Sequence, residues 1–233
     1  MVVDTEIATM RLRGFRNRTE AGLQLAGRLA AYADRPDVLI LALPRGGVPV
    51  GFEIAKALHA PLDVVIVRKL GAPGQEELAM GAIATGGMQV LNNLVVRSLG
   101  ISQREIESVA AKERVELERR ERLYRGGRAA PDLRGRTVIL VDDGIATGTT
   151  MRVAIAAVRR QHPSRLVLAV PVAPLSTCKE MKGAVEEFVC LLSPEDFTAI
   201  SLWYQEFTQT LDEEVCDLLE QADRRQSAVA ANP

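Results

Sequence analysis

Residues 138–150 constrain this chain more than any other stretch: Val-Ile-Leu-Val-Asp-Asp-Gly-Ile-Ala-Thr-Gly-Thr-Thr. Val138 to Val141 are apolar without alternation, which predicts a strand buried on both faces, as in a parallel sheet. Asp142 and Asp143 stand where that strand ends. Gly144 to Thr150 is a loop of small and hydroxylated residues, and Met151 to Arg160 predicts a helix. Open α/β sheets place ligands at such strand-to-helix junctions. Small residues let backbone N–H groups close on an anion, and a helix N-terminus favours negative charge. The two carboxylates would repel a bare phosphate. They suit a magnesium ion or sugar hydroxyls beside it.

A second loop repeats the logic. Val38 to Leu43 predicts another central strand, ending in Pro44-Arg45-Gly46-Gly47, with a helix from about Val48 to Leu58. Two glycines at such a turn permit backbone shapes closed to other residues. Their N–H groups and Arg45 form a candidate second anion site.

The 138–150 stretch resembles the phosphoribosyl pyrophosphate (PRPP) signature of the type I phosphoribosyltransferases. The resemblance spans roughly residues 15–215. It is closest to a poorly characterised bacterial group with Pro-Arg-Gly-Gly and Asp-Asp-Gly-Ile-Ala-Thr-Gly. It implies an α/β fold with a central, mainly parallel sheet, helices on both faces, a flap and a small C-terminal hood, in a single domain over 1–233. It also implies transfer of the 5-phosphoribosyl group from PRPP to a nitrogenous base, with release of pyrophosphate and with Mg2+. Asp142 and Asp143 would meet the ribose hydroxyls or the metal's water ligands. Gly144, Ala146, Thr147, Gly148, Thr149 and Thr150 would wrap the 5′-phosphate. Arg45, Gly46 and Gly47 would bind pyrophosphate, in a loop that in the family often holds an unusual peptide conformation. The alternative is a non-catalytic sensor of PRPP or nucleotides on the same fold. Homodimerisation is plausible for the family.

The resemblance places the flexible catalytic loop after Leu62–Val67, which predicts a short strand. Arg68 to Gly74 breaks that strand with basic and turn-forming residues, and Glu76 to Leu91 predicts a two-stranded excursion carrying the flap. A flap would keep water from a cationic ribose carbon. Arg68 and Lys69 either stabilise departing pyrophosphate or are solvated charges at a strand end. Ile101 to Tyr124 predicts a long helix of mixed charge, with Ile106, Ala110, Glu113, Leu117, Arg120 and Tyr124 tracing its nearest approach to an apolar face. Flap and helix lie within 68–128.

The C-terminal third predicts a strand at 165–172, a short helix or turn at 175–182, an edge strand at 187–192 and a helix over about 209–224, then a frayed tail over 226–233. The hood falls within 171–208. Pro194-Glu195-Asp196-Phe197 resembles the closing segment of purine-salvage members. That maps base stacking to Phe197, edge reading to Thr198 and a supporting wall to Trp203. The bland reading is that these aromatics pack the hood on the sheet. Ala146 stands where hypoxanthine–guanine members carry a carboxylate, and Val170-Pro171-Val172 offers no cation for a 6-oxo group. The donor half is therefore well specified and the acceptor half is not.

The remaining features narrow the alternatives. With 29 basic and 30 acidic residues, the net charge is −1, and no global field draws the chain to nucleic acid or membrane. Arg11, Arg13, Arg16 and Arg18 make a basic entry segment, read as a solvated arm or edge strand before a helix at 19–34. No apolar run reaches about 20 residues, so no membrane span is expected. Cys178, Cys190 and Cys216 lack metal-ligand spacing, and an odd count with no secretion signal suggests reduced thiols in a cytoplasm. His59 and His162 fall at helix ends, as surface residues.

Overall fold

Apolar runs lacking polar alternation become the middle of one sheet. The structure is a computed structural model that describes residues 14–230, with side chains to residue 228. Arg11, Arg13 and residues 231–233 lie outside the described residues. In chain order the elements are α1 (Arg18–Arg28), β1 (Val38–Ala42), α2 (Gly47–Leu58), β2 (Leu62–Val64), β3 (Val67–Ala72), β4 (Gln75–Ala84), β5 (Met88–Leu91), α3 (Asn93–Ser98), α4 (Gln103–Arg125), β6 (Thr137–Val141), α5 (Thr149–Arg159), β7 (Arg165–Val172), α6 (Leu175–Lys182), β8 (Glu187–Leu192) and α7 (Asp212–Ala230). Short 3-10 turns stand at Ala30–Tyr32 and Ile200–Trp203.

The central sheet is parallel throughout, in the order β2-β1-β6-β7-β8. Alternate residues feed two cores. Val38, Ile40, Ile139 and Val167 pack with residues of α1, α2, α4 and α7. Leu39, Leu41, Val138, Leu140 and Leu168 pack with Met151 and Ile155 of α5 and Met181 of α6. Every residue of β1 and β6 is buried, as expected for strands covered on both sides. The chain leaves β1 towards β2 and later runs from β6 towards β8. The strand order therefore reverses between β1 and β6, where open sheets bind ligands.

The flap differs from expectation. It is a three-stranded antiparallel sheet, β3-β4-β5, rather than a two-stranded excursion. The apolar run 62–67 is divided between the two sheets. Val64 is the last residue paired with β1, and Ile66 instead donates to the Thr85 hydroxyl at 2.9 Å while accepting from the Thr85 N–H. Arg68 to Ala72 continues as strand, and the turn falls at Pro73–Gly74, where Gly74 has φ +75°. Ala82 and Ala84 of the flap pack on Val153 and Ala157 of α5, directly after the 138–150 loop.

Helix ends follow their caps. Ser102 and Glu105 form a reciprocal capping box that starts α4, and Gly126 in the left-handed region stops it. α1 ends at Arg28, with a 3-10 turn where the sequence predicts continued helix. α7 runs to Ala230, beyond the expected end at 224, because its last turns hold to α2. Ala222 is buried, Arg225 lies over the Phe52 ring and Gln226 donates to the His59 carbonyl. His59 and His162 are exposed residues with left-handed backbone at helix ends, and the three cysteines are free thiols.

Candidate active site

The two sequence-predicted loops are neighbours because their strands are. Ala42 of β1 stands opposite Val141 of β6, so Pro44–Gly47 and Asp142–Thr150 leave the sheet side by side. The contact is intimate. A Cβ on Gly46 would lie 2.0 Å from Asp143 Oδ2, and one on Gly47 would lie 2.9 Å from the Val141 carbonyl. Only glycine fits where a backbone is pressed this closely on a carboxylate. The Pro44–Arg45 peptide is cis, the unusual conformation that the resemblance implies.

Both loops present unengaged donors. The N–H groups of Ala146 to Met151 meet no protein acceptor among the described residues; the first loop-to-helix bond is Arg152 N–H to Gly148 O at 2.9 Å. The N–H groups of Arg45 and Gly46 are likewise open. The first turns of α2 and α5 thus supply partial positive charge to one crevice. The 146–150 loop is braced from behind. Gly148 has φ +73°, Thr177 of α6 donates to the Ala146 carbonyl at 2.9 Å, and Arg152 donates to the Thr147 carbonyl at 3.1 Å. Thr147, Thr149 and Thr150 are exposed, with the first two hydroxyls 3.3 Å apart.

The acidic pair is asymmetric. Asp143 is buried, and its Oδ2 accepts from Arg18 Nε at 2.8 Å. Asp142 is half-buried; its Oδ1 accepts from the Asp143 N–H at 2.9 Å. Burial and the adjoining Asp143 carboxylate push the Asp142 carboxyl well above its ordinary range. Burial also raises Asp143, against the opposing pull of Arg18. Two neighbouring anions that resist ionising together are relieved by hydroxyl donors or a cation. Among the described residues no cluster of three or more metal-ligating side chains exists, and the candidate ligands among them are Asp142 and Asp143.

A family model for the phosphoribosyl transferase domain matches residues 17–199. The chain belongs to this family. MT0597 and Rv0571c of Mycobacterium tuberculosis, which carry phosphoribosyl transferase in their names, are each 47% identical over 210 residues, covering 90% of this chain and 47% of theirs. The chain therefore spans about half the length of the curated relatives it matches. The crystal structure of TT1426 from Thermus thermophilus is similar, with a TM-score of 0.77 and 41% identity over 89% of this chain and 98% of that one.

Within this phosphoribosyl transferase domain, the loop residues expected from sequence come together and others do not. Arg68 and Lys69 are the candidate catalytic cations. Both lie on flap strand β3 and already hold carboxylates. Arg68 bonds Glu113 of α4 at 2.6 Å and Lys69 meets Glu77 at 3.1 Å, beside a cleft of about 600 Å3 between flap and α4. Trp203, expected as a supporting wall for the base, is 7% exposed and packs with Phe15, Ala21, Val172 and Tyr204. Phe197 is half-buried against the same cluster, and Thr198 is exposed.

Arg18 is the site residue that sequence reasoning missed. Only its place in the basic entry segment marked it. Among the segment's described residues, Phe15 forms an isolated parallel bridge with Tyr204. Phe15 N–H donates to Trp203 O at 2.8 Å, and Gln205 N–H donates to Phe15 O at 2.9 Å. That pairing brings Arg18, at the first turn of α1, onto Asp143.

Proposed function

We propose that this domain transfers the 5-phosphoribosyl group of PRPP to a nitrogenous acceptor, releasing pyrophosphate, with Mg2+. The observation that carries this reading is the pair of touching loops, each with open N–H groups, flanking two adjacent carboxylates. That arrangement suits a sugar bearing phosphate groups at two ends. Ala146 to Met151 would hold the 5′-phosphate through N–H groups, with hydroxyls from Thr147, Thr149 and Thr150. Arg45, Gly46 and Gly47 would hold the pyrophosphate. The acidic pair would meet the ribose hydroxyls between them. Mg2+, when bound, neutralises pyrophosphate charge. With only two carboxylates on offer, its other ligands would be substrate oxygens and water.

In the reaction an acceptor nitrogen bonds to C1 of the ribose while the C1–O bond to pyrophosphate breaks, and pyrophosphate leaves with that electron pair. No nucleophilic side chain is needed. The residues orient the donor and stabilise the departing charge. Ala146 brings no carboxylate to the acceptor, so an acceptor whose nitrogen carries a free electron pair is favoured over one that must first lose a proton.

Calorimetry with PRPP and MgCl2 tests the reading. Binding is expected, and the D142N/D143N variant should lose it. No binding, or equal binding by that variant, overturns it. Pyrophosphate release across a panel of bases then separates an enzyme from a sensor on the same fold.

A further inference from the structure

Three consecutive peptides of the 146–150 loop have their carbonyls engaged. The Ala146 carbonyl accepts from Thr177 Oγ1 of α6 at 2.9 Å. The Thr147 carbonyl accepts from Arg152 Nη2 at 3.1 Å, and the Gly148 carbonyl accepts from the Arg152 N–H at 2.9 Å. In a planar trans peptide the carbonyl and the following N–H point in opposite directions. Holding these three oxygens therefore turns the N–H groups of Thr147, Gly148 and Thr149 away from the groups that hold them. None of the three N–H groups meets a protein acceptor among the described residues. Both side chains that do the holding are themselves fixed. Thr177 is 6% exposed. Arg152 Nη1 donates to Glu180 Oε2 of α6 at 2.7 Å, so one guanidinium ties α5, α6 and the loop together. A Cβ on Gly148, whose φ is +73°, would stand 3.3 Å from Thr177 Cγ2 and 3.4 Å from Arg152 Nη1, so the two side chains press on the loop at one point.

We propose that Thr177 and Arg152 are positioning residues: acting through the loop, they fix its peptides with their N–H groups towards the ligand, so that the cradle for the sugar's phosphate exists before the sugar arrives. This rests on the PRPP reading above. Successive open N–H groups hold a phosphate by charge-assisted bonds. A peptide free to rotate would spend part of its time with its carbonyl facing the anion, and binding would have to turn it back. Bracing removes that ordering cost in advance. The braces are also local. Neither Thr177 nor Arg152 makes a side-chain hydrogen bond to Pro44–Gly47; their bonds go to the 146–150 loop and to Glu180. Thr177 and Arg152 therefore govern the phosphate end of the ligand and not its pyrophosphate end.

Calorimetry with two probes tests this: ribose 5-phosphate for the 146–150 loop, and pyrophosphate with MgCl2 for the 45–47 loop. Thr177→Val keeps the side-chain shape and removes the donor. It should weaken ribose 5-phosphate about tenfold and leave pyrophosphate within about twofold, since one braced peptide serves one charge-assisted bond. Thr177→Ser returns the hydroxyl and should restore the affinity. Arg152→Lys keeps the charge but not the fork that reaches Thr147 and Glu180 together, and should weaken ribose 5-phosphate about threefold or more. Wild-type affinity for ribose 5-phosphate in both Thr177→Val and Arg152→Lys overturns the inference. So does an equal loss for the two probes, which would mean that the variants loosen the whole site, and so does a Thr177→Ser protein as weak as Thr177→Val. Should Thr177→Val fail to fold, Thr177→Ala takes its place and is read the same way. Failure of the PRPP reading looks different: the ribose 5-phosphate pattern would hold while wild type bound no PRPP. A wild type that binds neither probe overturns both.

Discussion

Arg45 in the glycine loop stands 3.7 Å from Asp212 in the first turn of α7, and Asp212 also accepts a 2.6 Å bond from the Tyr124 hydroxyl near the end of α4. Three elements far apart in sequence thus meet behind the proposed pyrophosphate loop. The other end of the functional connection lies on the same helix, where Glu113 holds Arg68 of the flap. α4 therefore touches both the flap and the counter-ion of Arg45. Glu113 and Tyr124 give it a specific partner at each place.

Tyr124 tests that junction. It is 2% exposed, and burial and then the Asp212 carboxylate push its hydroxyl above the ordinary tyrosine range. Tyr124→Phe deletes the hydroxyl and keeps the ring. The expected loss is about 1 kcal/mol, the net worth of one such hydrogen bond. For a chain of this size that lowers Tm by about 2–4 °C. An unchanged Tm would show that the hydroxyl bond contributes nothing across α4 and α7.

Two glycines should respond in opposite directions to the same substitution. Gly46→Ala drives a methyl group onto the Asp143 carboxylate, so either the loop or the Arg18–Asp143 pair must move. PRPP binding should fall by more than about tenfold, with lower stability. Gly27 lies exposed in α1 with nothing within 4 Å of an added Cβ. Gly27→Ala should raise stability by about 0.5–1 kcal/mol through helix propensity and a less flexible unfolded chain. Thermal melts and calorimetry on the pair check both signs. Equal behaviour would refute the close-approach account of Gly46.

How far the sequence revealed this molecule depended on whether the signal was local. β7, α6 and β8 fall where periodicity puts them, and both candidate anion loops are strand-end motifs readable without tertiary context. The division of 62–67 between two sheets was hidden, because a continuous apolar run does not show where its pairing partner changes. Thr85, which takes over at Ile66, lies just past the end of β4, 19 residues away. Arg18 was hidden for the same reason at longer range, since its carboxylate lies 125 residues on. Trp203 shows the limit of motif transfer: the aromatic stretch was visible, but which ring faces the core is set by the Phe15 segment paired beside it.

The flap anchor can be loosened without unfolding the protein. Arg68 and Glu113 are each 27% exposed, so their bond is worth about 1 kcal/mol or less. Arg68→Met keeps much of the stem and removes the charge. Amide exchange in β3 and β4 should quicken, with little change in β1 or β6 and little change in Tm. Faster exchange spread evenly over both sheets would show that the pair supports the whole fold rather than anchoring the flap.

Acid should expose one further junction, where β1 and β6 begin. Asp37 accepts from Arg35 at 2.8 Å and from the Thr137 hydroxyl at 2.7 Å, and its carbonyl accepts from the Thr137 N–H. The Arg35 bond, and then the Thr137 bond, pull its carboxyl down to about 2. A carboxylate whose pKa is lowered by folding adds stability that is complete above its unfolded value, about 4, and is lost as pH falls through the folded value. Wild type should therefore lose its advantage over Asp37→Asn progressively between about pH 5 and pH 2. The comparison must be a difference between the two proteins, because Glu116 and Asp132, also held near 2 by arginines, tilt both curves alike. Asp142 and Asp143, raised by burial, tilt them the other way, again in both. Unfolding midpoints in denaturant from pH 6 down to pH 3 give the measurement. A gap that stays constant over that range would mean that the Asp37 charge is not coupled to folding.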